Sequence, residues 1–213
     1  MKEAWEKQYK EKSAPWNYDG FDEDLKKFLS DTFWPTLIDC PEHVVVQQGQ
    51  TRILDIVDLG CGNGSQVYHM EKCGFNVTGT DVVNALEYDI KDFVIDDALD
   101  SKLNKKYDII IDRGLIHNLF HLKKKRHKYF EMIGNITHDE SYILLKVLSP
   151  YEARFNPSTH SGPYRFNEKQ LTEFFSVFNF KCIKLADTHF YSNIQPHLRG
   201  YFGVYKKEGN ING

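Results

Sequence analysis

Residues 53 to 64, Ile-Leu-Asp-Ile-Val-Asp-Leu-Gly-Cys-Gly-Asn-Gly, constrain the fold of this chain more than any other stretch. The run Ile53 to Val57 is short, rich in β-branched residues and followed by glycines, which suits a central parallel strand covered on both faces. Gly60, Gly62 and Gly64 stand at alternate positions, where a missing side chain permits positive φ and lets a ligand approach the backbone. A helix can open at Ser65, and its free N–H groups attract an anionic group. The segment therefore reads as a buried strand that delivers a ligand loop.

The glycine spacing separates two cofactor classes. A dinucleotide fingerprint is G-x-G-x-x-G, whose third glycine lets helix and strand pack closely beside a pyrophosphate. Here Gly60 and Gly62 fit, but Ser65 occupies the third position and Gly64 comes one residue early. Asp58 sits where a carboxylate projects into the loop, which suits a ligand with a cationic group better than a pyrophosphate.

Asp58-Leu59-Gly60-Cys61-Gly62-Asn63-Gly64 resembles the D-x-G-x-G-x-G loop of class I S-adenosylmethionine-dependent methyltransferases. Three later segments agree in order. Phe75 to Asp81 reads as a second strand ending in an acid, twenty-one residues past Gly60. That is the ribose-hydroxyl position, which nicotinamide enzymes share. Phe93 to Ala98 resembles the third strand with its adenine-side Asp97-Ala98 pair, and Lys106 to Gly114 resembles the fourth, whose end lies beside the methionine portion of the cofactor. More narrowly, the chain is similar to the thiopurine and tellurite-resistance type of small-molecule methyltransferase. Trp5, Tyr9 and Pro15-Trp16 look like its aromatic N-terminal segment, Asp112-Arg113-Gly114 with Ile116 to Leu119 like its fourth-strand signature, and Gly162 to Phe166 like its loop before the penultimate helix.

This resemblance implies S-adenosyl-L-methionine as cofactor and a set of roles. Asp58 organises the loop and meets the amino group, Gly60, Cys61, Gly62 and Gly64 form the cradle, and Asp81 takes the ribose hydroxyls. Asp97 takes the adenine amine with Ala98 beside it, and Asp112 serves the methionine end. Trp16 either covers the cofactor or is an ordinary core aromatic. His117, just after the fourth strand, is the candidate base for an oxygen or nitrogen acceptor; the alternative is a helix residue bonded to the backbone. Tyr164 and Arg165 either close over the substrate, with Arg165 facing an anionic acceptor, or make surface loop contacts. A thiolate or other soft acceptor needs no dedicated base.

Composition narrows the setting. The 213 residues, 41% hydrophobic and 27% charged, are ordinary globular usage for one modest domain. No apolar run approaches membrane-spanning length and the first residues lack the apolar core of a secretory signal, so a soluble cytoplasmic protein is expected. A net charge of −3 gives no global attraction to nucleic acid. Lys123-Lys124-Lys125-Arg126 reads as a solvated face. Cys40, Cys61, Cys73 and Cys182 contain no C-x-x-C pair, which argues against structural zinc or a disulfide framework. Cys61 lies near a helix N-terminus that would favour its thiolate, but a small residue that fits the loop is the simpler account. His117 and His121 stand at i and i+4 without the acid of an H-E-x-x-H motif, so no metal is expected.

Strands and helices alternate along the chain, the pattern of an α/β architecture. The expected fold is Rossmann-like, a mostly parallel seven-stranded sheet with helices on both faces and an antiparallel edge hairpin. Residues 1–206 form a single domain, with 1–35 as a helical cap over the site, and 207–213 form a tail. Helices are expected over Phe21 to Phe33, Ser65 to Lys72 with Gly74 ending it, Leu115 to Met132, and Glu168 to Phe178 capped by Asn167 with Gln170. Tyr142 to Leu148, Phe180 to Leu185 and Tyr201 to Tyr205 supply the last three strands, and Ser149 to Gly162 reads as a mobile loop. The leading functional reading is a methyltransferase acting on a small-molecule acceptor by in-line transfer. A protein methyltransferase and a non-catalytic cofactor-binding regulator are the alternatives. Asp112-Arg113-Gly114 stands where amide-acceptor enzymes carry N/D-P-P-Y/F, which disfavours DNA-adenine or glutamine methylation.

Overall fold

In the computed structural model the described residues are 2–11, 16–33, 45–47, 50–52, 54–154, 163–192 and 196–209, with backbone alone for 45–47 and 50–52. In chain order the elements are α1 (Lys2–Lys10), α2 (Glu23–Phe33), β1 (Val45–Gln47), β2 (Gln50–Arg52), β3 (Asp55–Leu59), α3 (Ser65–Lys72), β4 (Asn76–Asp81), β5 (Phe93–Ile95) and β6 (Tyr107–Arg113). They continue as α4 (Leu115–Leu119), α5 (Arg126–Ile136), β7 (Thr137–Leu148), α6 (Glu168–Ser176), β8 (Phe180–Phe190) and β9 (Leu198–Lys207).

Seven strands form one sheet in the order β5-β4-β3-β6-β7-β9-β8. The first five run parallel, and β9 and β8 close the edge as an antiparallel hairpin. The expected architecture is therefore the observed one. Strand alternation divides the core between two faces. Ile56, Ile109, Ile111 and Leu144 meet α2 and α3 through Leu25, Leu29, Val67 and Met70. Val57, Ile110, Ile143 and Leu145 meet α5 and α6 on the other face through Tyr129, Ile133, Leu171 and Phe175. Each such fully buried aliphatic contributes about 1.5–3 kcal/mol relative to exposure.

Several boundaries differ from expectation for physical reasons. Leu115 to Met132 is two helices, not one. Phe120 and Phe130 both pack on Phe174, at centroid distances of 4.9 and 6.3 Å. In an unbroken helix ten residues rise about 15 Å, so one ring would not meet both. The chain breaks between Phe120 and Arg126, and Lys123 to Lys125 lie exposed in that turn. β8 begins at Phe180 as expected but runs on to Phe190, and β9 is longer at both ends than its apolar run suggested, the pairing reaching from Phe180↔Lys207 to Phe190↔Leu198. The antiparallel pair β1–β2, with Val45↔Arg52, was not expected. Gly74, at φ 85°, ends α3 as anticipated. The imperfect capping box at Asn167 is complete: its side chain accepts from Gln170 N–H while the Gln170 side chain accepts from Asn167 N–H.

The loop expected to be mobile is anchored over its described part. Glu152 accepts from the Arg154 side chain and from Arg199 N–H, which ties the chain after β7 to β9. Residues 155–162 lie outside the described residues, as do Pro15, Cys40, Ile53 and the 210–213 portion of the expected tail; Lys207 belongs to β9.

Candidate active site

A cavity of about 530 Å³ opens over the carboxyl ends of the parallel strands. In the sheet order β3 and β6 meet where the strand sequence reverses direction, the position at which open α/β sheets bind ligands. One half is walled from β3, β4 and β5, the other from β6, β7 and the β8–β9 hairpin, and α1 with residues 16–18 covers both.

The first half holds most of the expected cofactor residues. Gly60 and Gly62 line it with φ of 70° and 59°. A Cβ on Gly62 would stand 3.1 Å from Tyr9 Oη, tighter than ordinary contact, and the positive φ disfavours any L side chain there. Gly64 does not line the cavity; at φ 82° it is the N-cap of α3, and Ser65 N–H is served by Asn63 Oδ1 at 3.2 Å. Asp81 lines the cavity at the end of β4, its Oδ2 accepting from Gly62 N–H and its Oδ1 from Val83 N–H, each at 3.1 Å. Burial raises its carboxyl from the ordinary value against the lowering effect of these donors. Asp97 and Ala98 line the far end, with Asp97 Oδ1 accepting from Leu99 N–H. Trp16 also lines the cavity and meets Trp5 and Tyr9 edge-on, at 5.5 and 6.4 Å.

Two expected acids are not at the cavity wall. Asp58 is buried on the α3 face of β3, where Gln66 Nε2 donates to Oδ2 at 3.2 Å. Its desolvated carboxyl is pushed up to about 7. Asp112 points to the opposite face of β6 and is wholly buried. It accepts from Leu115 N–H at 2.7 Å, Ile116 N–H at 3.0 Å and Tyr129 Oη–H at 2.7 Å, so it secures the start of α4. Burial pushes its carboxyl up to about 6. Cys61 lines the cavity, but burial and the carboxylates of Asp58 and Asp81 raise its thiol, the reverse of what a nearby helix N-terminus would do.

The catalytic candidates separate. His117 lines the cavity, and its Nδ1 accepts from Leu148 N–H at 3.3 Å. In the neutral ring this assigns the proton to Nε2, which becomes a donor. Burial, with Arg113 and His121 nearby, holds the imidazole down to about 3. Tyr164 and Arg165 do not line the cavity. The Tyr164 hydroxyl accepts from Gln170 Nε2 and its ring packs on Phe120, while Arg165 donates to the Glu152 carbonyl at 2.6 Å. Their neighbour Pro163 reaches the cavity instead.

Residues given no role in the sequence complete the second half: Tyr18, Arg113, Asn118, Leu148, Phe190 and Leu198. Arg113 was legible in principle, since alternation after the inward Asp112 turns it to the other face. Phe190 and Leu198 reach the site only through the extended hairpin.

The donor and acceptor chemistry of the first half fits S-adenosylmethionine. The carboxylates of Asp81 and Asp97 suit hydroxyl and amine donors, and the glycine turn presents an open backbone surface. Among the described residues no group of three or more His, Cys, Asp or Glu is placed to hold a metal, and no helix is long and apolar enough to cross a membrane.

Known proteins share this fold. Residues 21–185 match the family model described as a methyltransferase domain. No curated protein matches by sequence. Among solved structures the chain is similar to an S-adenosylmethionine-dependent methyltransferase from Methanosarcina mazei, at 14% identity and TM-score 0.61 over 78% of this chain and 95% of that one. It is also similar to the Burkholderia thailandensis 1,6-didemethyltoxoflavin-N1-methyltransferase with bound 1,6-didemethyltoxoflavin and S-adenosylhomocysteine, at 13% and 0.67 over 98% and 87%. A third is the magnesium protoporphyrin IX methyltransferase of Synechocystis with bound S-adenosylhomocysteine, at 13% and 0.61 over 87% and 81%. The chain belongs to the methyltransferase-domain family and has the class I S-adenosylmethionine-dependent methyltransferase fold.

Proposed function

We propose that this S-adenosylmethionine-dependent methyltransferase acts on a small, largely apolar acceptor that carries negative charge near its accepting atom. The observation that carries the reading is the second half of the cavity, where Tyr18, Leu148, Phe190 and Leu198 line the wall together with Arg113, whose guanidinium lies over the Tyr18 and Phe190 rings and pairs through Nε with Asp22. Apolar walls with a few placed polar groups are the usual form of a small-ligand site, and a cavity of this size suits cofactor and acceptor together. The similar toxoflavin and protoporphyrin enzymes, by their names, act on ring compounds.

In this reading the Asp81 carboxylate takes the ribose hydroxyls, Asp97 and Ala98 face the adenine, and Trp16 covers the cofactor. Asp58 acts through Gln66 and the loop, and Asp112 through α4. When bound, the cofactor supplies an electrophilic methyl whose bond to sulfur breaks, the electron pair passing to sulfur, as the acceptor's lone pair bonds to carbon. The chain's own contribution is alignment and exclusion of water, an effect that lowers such barriers by about 7–11 kcal/mol in favourable cases. His117 offers Nε2–H as a hydrogen-bond donor and leaves deprotonation to the acceptor's own acidity. The described part of residues 1–35 serves as a cap of one domain that extends through Lys207. The reading places the chain near the thiopurine and tellurite-resistance type, supported by the gathering of Trp5, Tyr9 and Trp16 at the cavity and by Asp112-Arg113-Gly114 at the end of β6. A cytoplasmic setting accords with the free thiols of Cys61, Cys73 and Cys182.

Incubation with radiolabelled S-adenosylmethionine and panels of small aromatic acids, thiols and amines tests the proposal. Label in extractable aromatic acids or thiols is expected. Label confined to amines would contradict the anionic preference, and label confined to precipitated protein would favour a protein acceptor.

A further inference from the structure

Lys146 is a buried cation inside an apolar strand, with Leu144 and Leu145 before it and Val147 and Leu148 after it, and it is 1% exposed. It stands in register with Arg113 on the neighbouring parallel strand, so two cations share one face of the sheet. Such a pair repels unless an anion lies between. Asp22, wholly buried just before α2, is that anion. Its Oδ1 and Oδ2 accept from Lys146 Nζ at 2.8 and 2.7 Å, and Oδ2 accepts from Arg113 Nε at 3.1 Å.

The cluster extends to the edge hairpin. Asp24 Oδ2 lies 2.7 Å from Lys146 Nζ and accepts from the Thr188 hydroxyl of β8. Burial works to raise the Asp24 carboxyl, but Lys146 and Thr188 bring the net shift downward. Arg113 also donates to the Tyr191 carbonyl and lies over the rings of Tyr18 and Phe190, 5.8 and 5.6 Å from their centroids. Replacing buried ion clusters with packed apolar side chains is often neutral or stabilising, so stability alone is a weak reason for this one. What the cluster supplies is position: Asp22 and Asp24 fix the N-terminal segment, and Arg113 and Thr188 fix the strands that carry the cavity wall.

We infer that Lys146 is a positioning residue, which through Asp22 fixes the wall made by Tyr18, Arg113 and Phe190 and so sets affinity for the acceptor without touching it. The inference rests on the reading that this half of the cavity receives the acceptor.

Three variants, Lys146→Met, Lys146→Arg and Asp22→Asn, test it against the unaltered protein. The readouts are calorimetry with S-adenosylhomocysteine, steady-state kinetics with para-nitrothiophenolate, whose thiolate colour is lost on S-methylation, and hydrogen exchange of residues 17–25 and 187–192. Lys146→Met should raise KM for the thiolate about tenfold while kcat and S-adenosylhomocysteine affinity stay within about threefold. Exchange should quicken in both segments together. Lys146→Arg keeps a cation against Asp22 and should return KM and exchange to within about threefold of the unaltered protein. Asp22→Asn should reproduce the Lys146→Met pattern and carries the test if that variant does not fold.

Parallel losses of cofactor affinity and KM, exchange that quickens throughout the sheet, or no recovery with Lys146→Arg would overturn the positioning role. If the unaltered protein binds S-adenosylhomocysteine but leaves the thiolate unmethylated, the acceptor reading fails separately. Exchange then decides: loosening confined to the two segments supports the positioning role, and its absence overturns it.

Discussion

The backbone amide of Leu148, at the end of β7, donates to Nδ1 of His117 across 3.3 Å and spends the only lone pair a neutral imidazole could use as a base. His117→Gln preserves an acceptor at this position without a titrating ring. Turnover in the variant should fall by less than about tenfold, whereas removal of a true general base costs about 10²–10⁴. A larger loss, together with disappearance of an acidic limb from the pH–rate profile, would restore His117 as the base.

Burial of the same ring, with Arg113 and His121 nearby, fixes a pH dependence of stability. The imidazole is held down to about 3 from an ordinary 6.5. As pH falls through 6.5 the unfolded chain gains a proton that the native ring refuses, so this contribution to stability declines until about pH 3, by about 1.36 kcal/mol per pH unit. Asp58 and Asp112, pushed up to about 7 and about 6, act in the opposite sense and stabilise as pH falls toward 3.8. The unaltered protein should therefore show partial cancellation. Denaturant unfolding near pH 7.5 and pH 5.5 should find His117→Gln gaining on it by about 1 kcal/mol at the lower pH; an unchanged difference would contradict the buried neutral ring.

Asp81 is expected to separate binding from folding. Asp81→Asn keeps the side-chain shape and removes a carboxylate that burial already disfavours. Affinity for S-adenosylhomocysteine should weaken by about tenfold to a hundredfold, the worth of charge-assisted hydrogen bonds, in a chain that still folds but with a lowered thermal midpoint, because Asn can accept only one of the Gly62 and Val83 N–H bonds. A folded variant with full affinity would remove Asp81 from the ribose role.

Asp112 should behave in the reverse way. Tyr129→Phe deletes the 2.7 Å bond to its carboxylate and leaves the ring packed. The expected cost is about 1.5–3 kcal/mol of stability, read by denaturant unfolding, with cofactor affinity altered less than about threefold. A selective loss of affinity would instead assign Asp112 to the methionine end.

What the sequence disclosed follows from how far each signal reaches. The Asp58 to Gly64 loop, the Asp81 spacing and the Asp97-Ala98 pair are local patterns, and they led to the sheet and to the half of the cavity walled from β3, β4 and β5. Asp58 and Asp112 show the limit: alternation places each on a face, but whether that face meets ligand or a helix depends on Gln66 and Tyr129, which come from other elements. Tyr164 and Arg165 sit beside Pro163 in sequence, yet packing on Phe120 and the Glu152 carbonyl turns them away. The Asp22–Lys146 pair joins residues 124 apart, beyond any periodic signal, and its trace in the sequence was a single lysine within an apolar strand.

Binding of the cofactor product tests the central claim without a known acceptor. Calorimetric titration of the purified chain with S-adenosylhomocysteine and, separately, with NADH should give saturable binding of the first and none of the second. Binding of NADH alone would contradict the assignment of this glycine loop, its acids and its aromatic cover to a methyl donor.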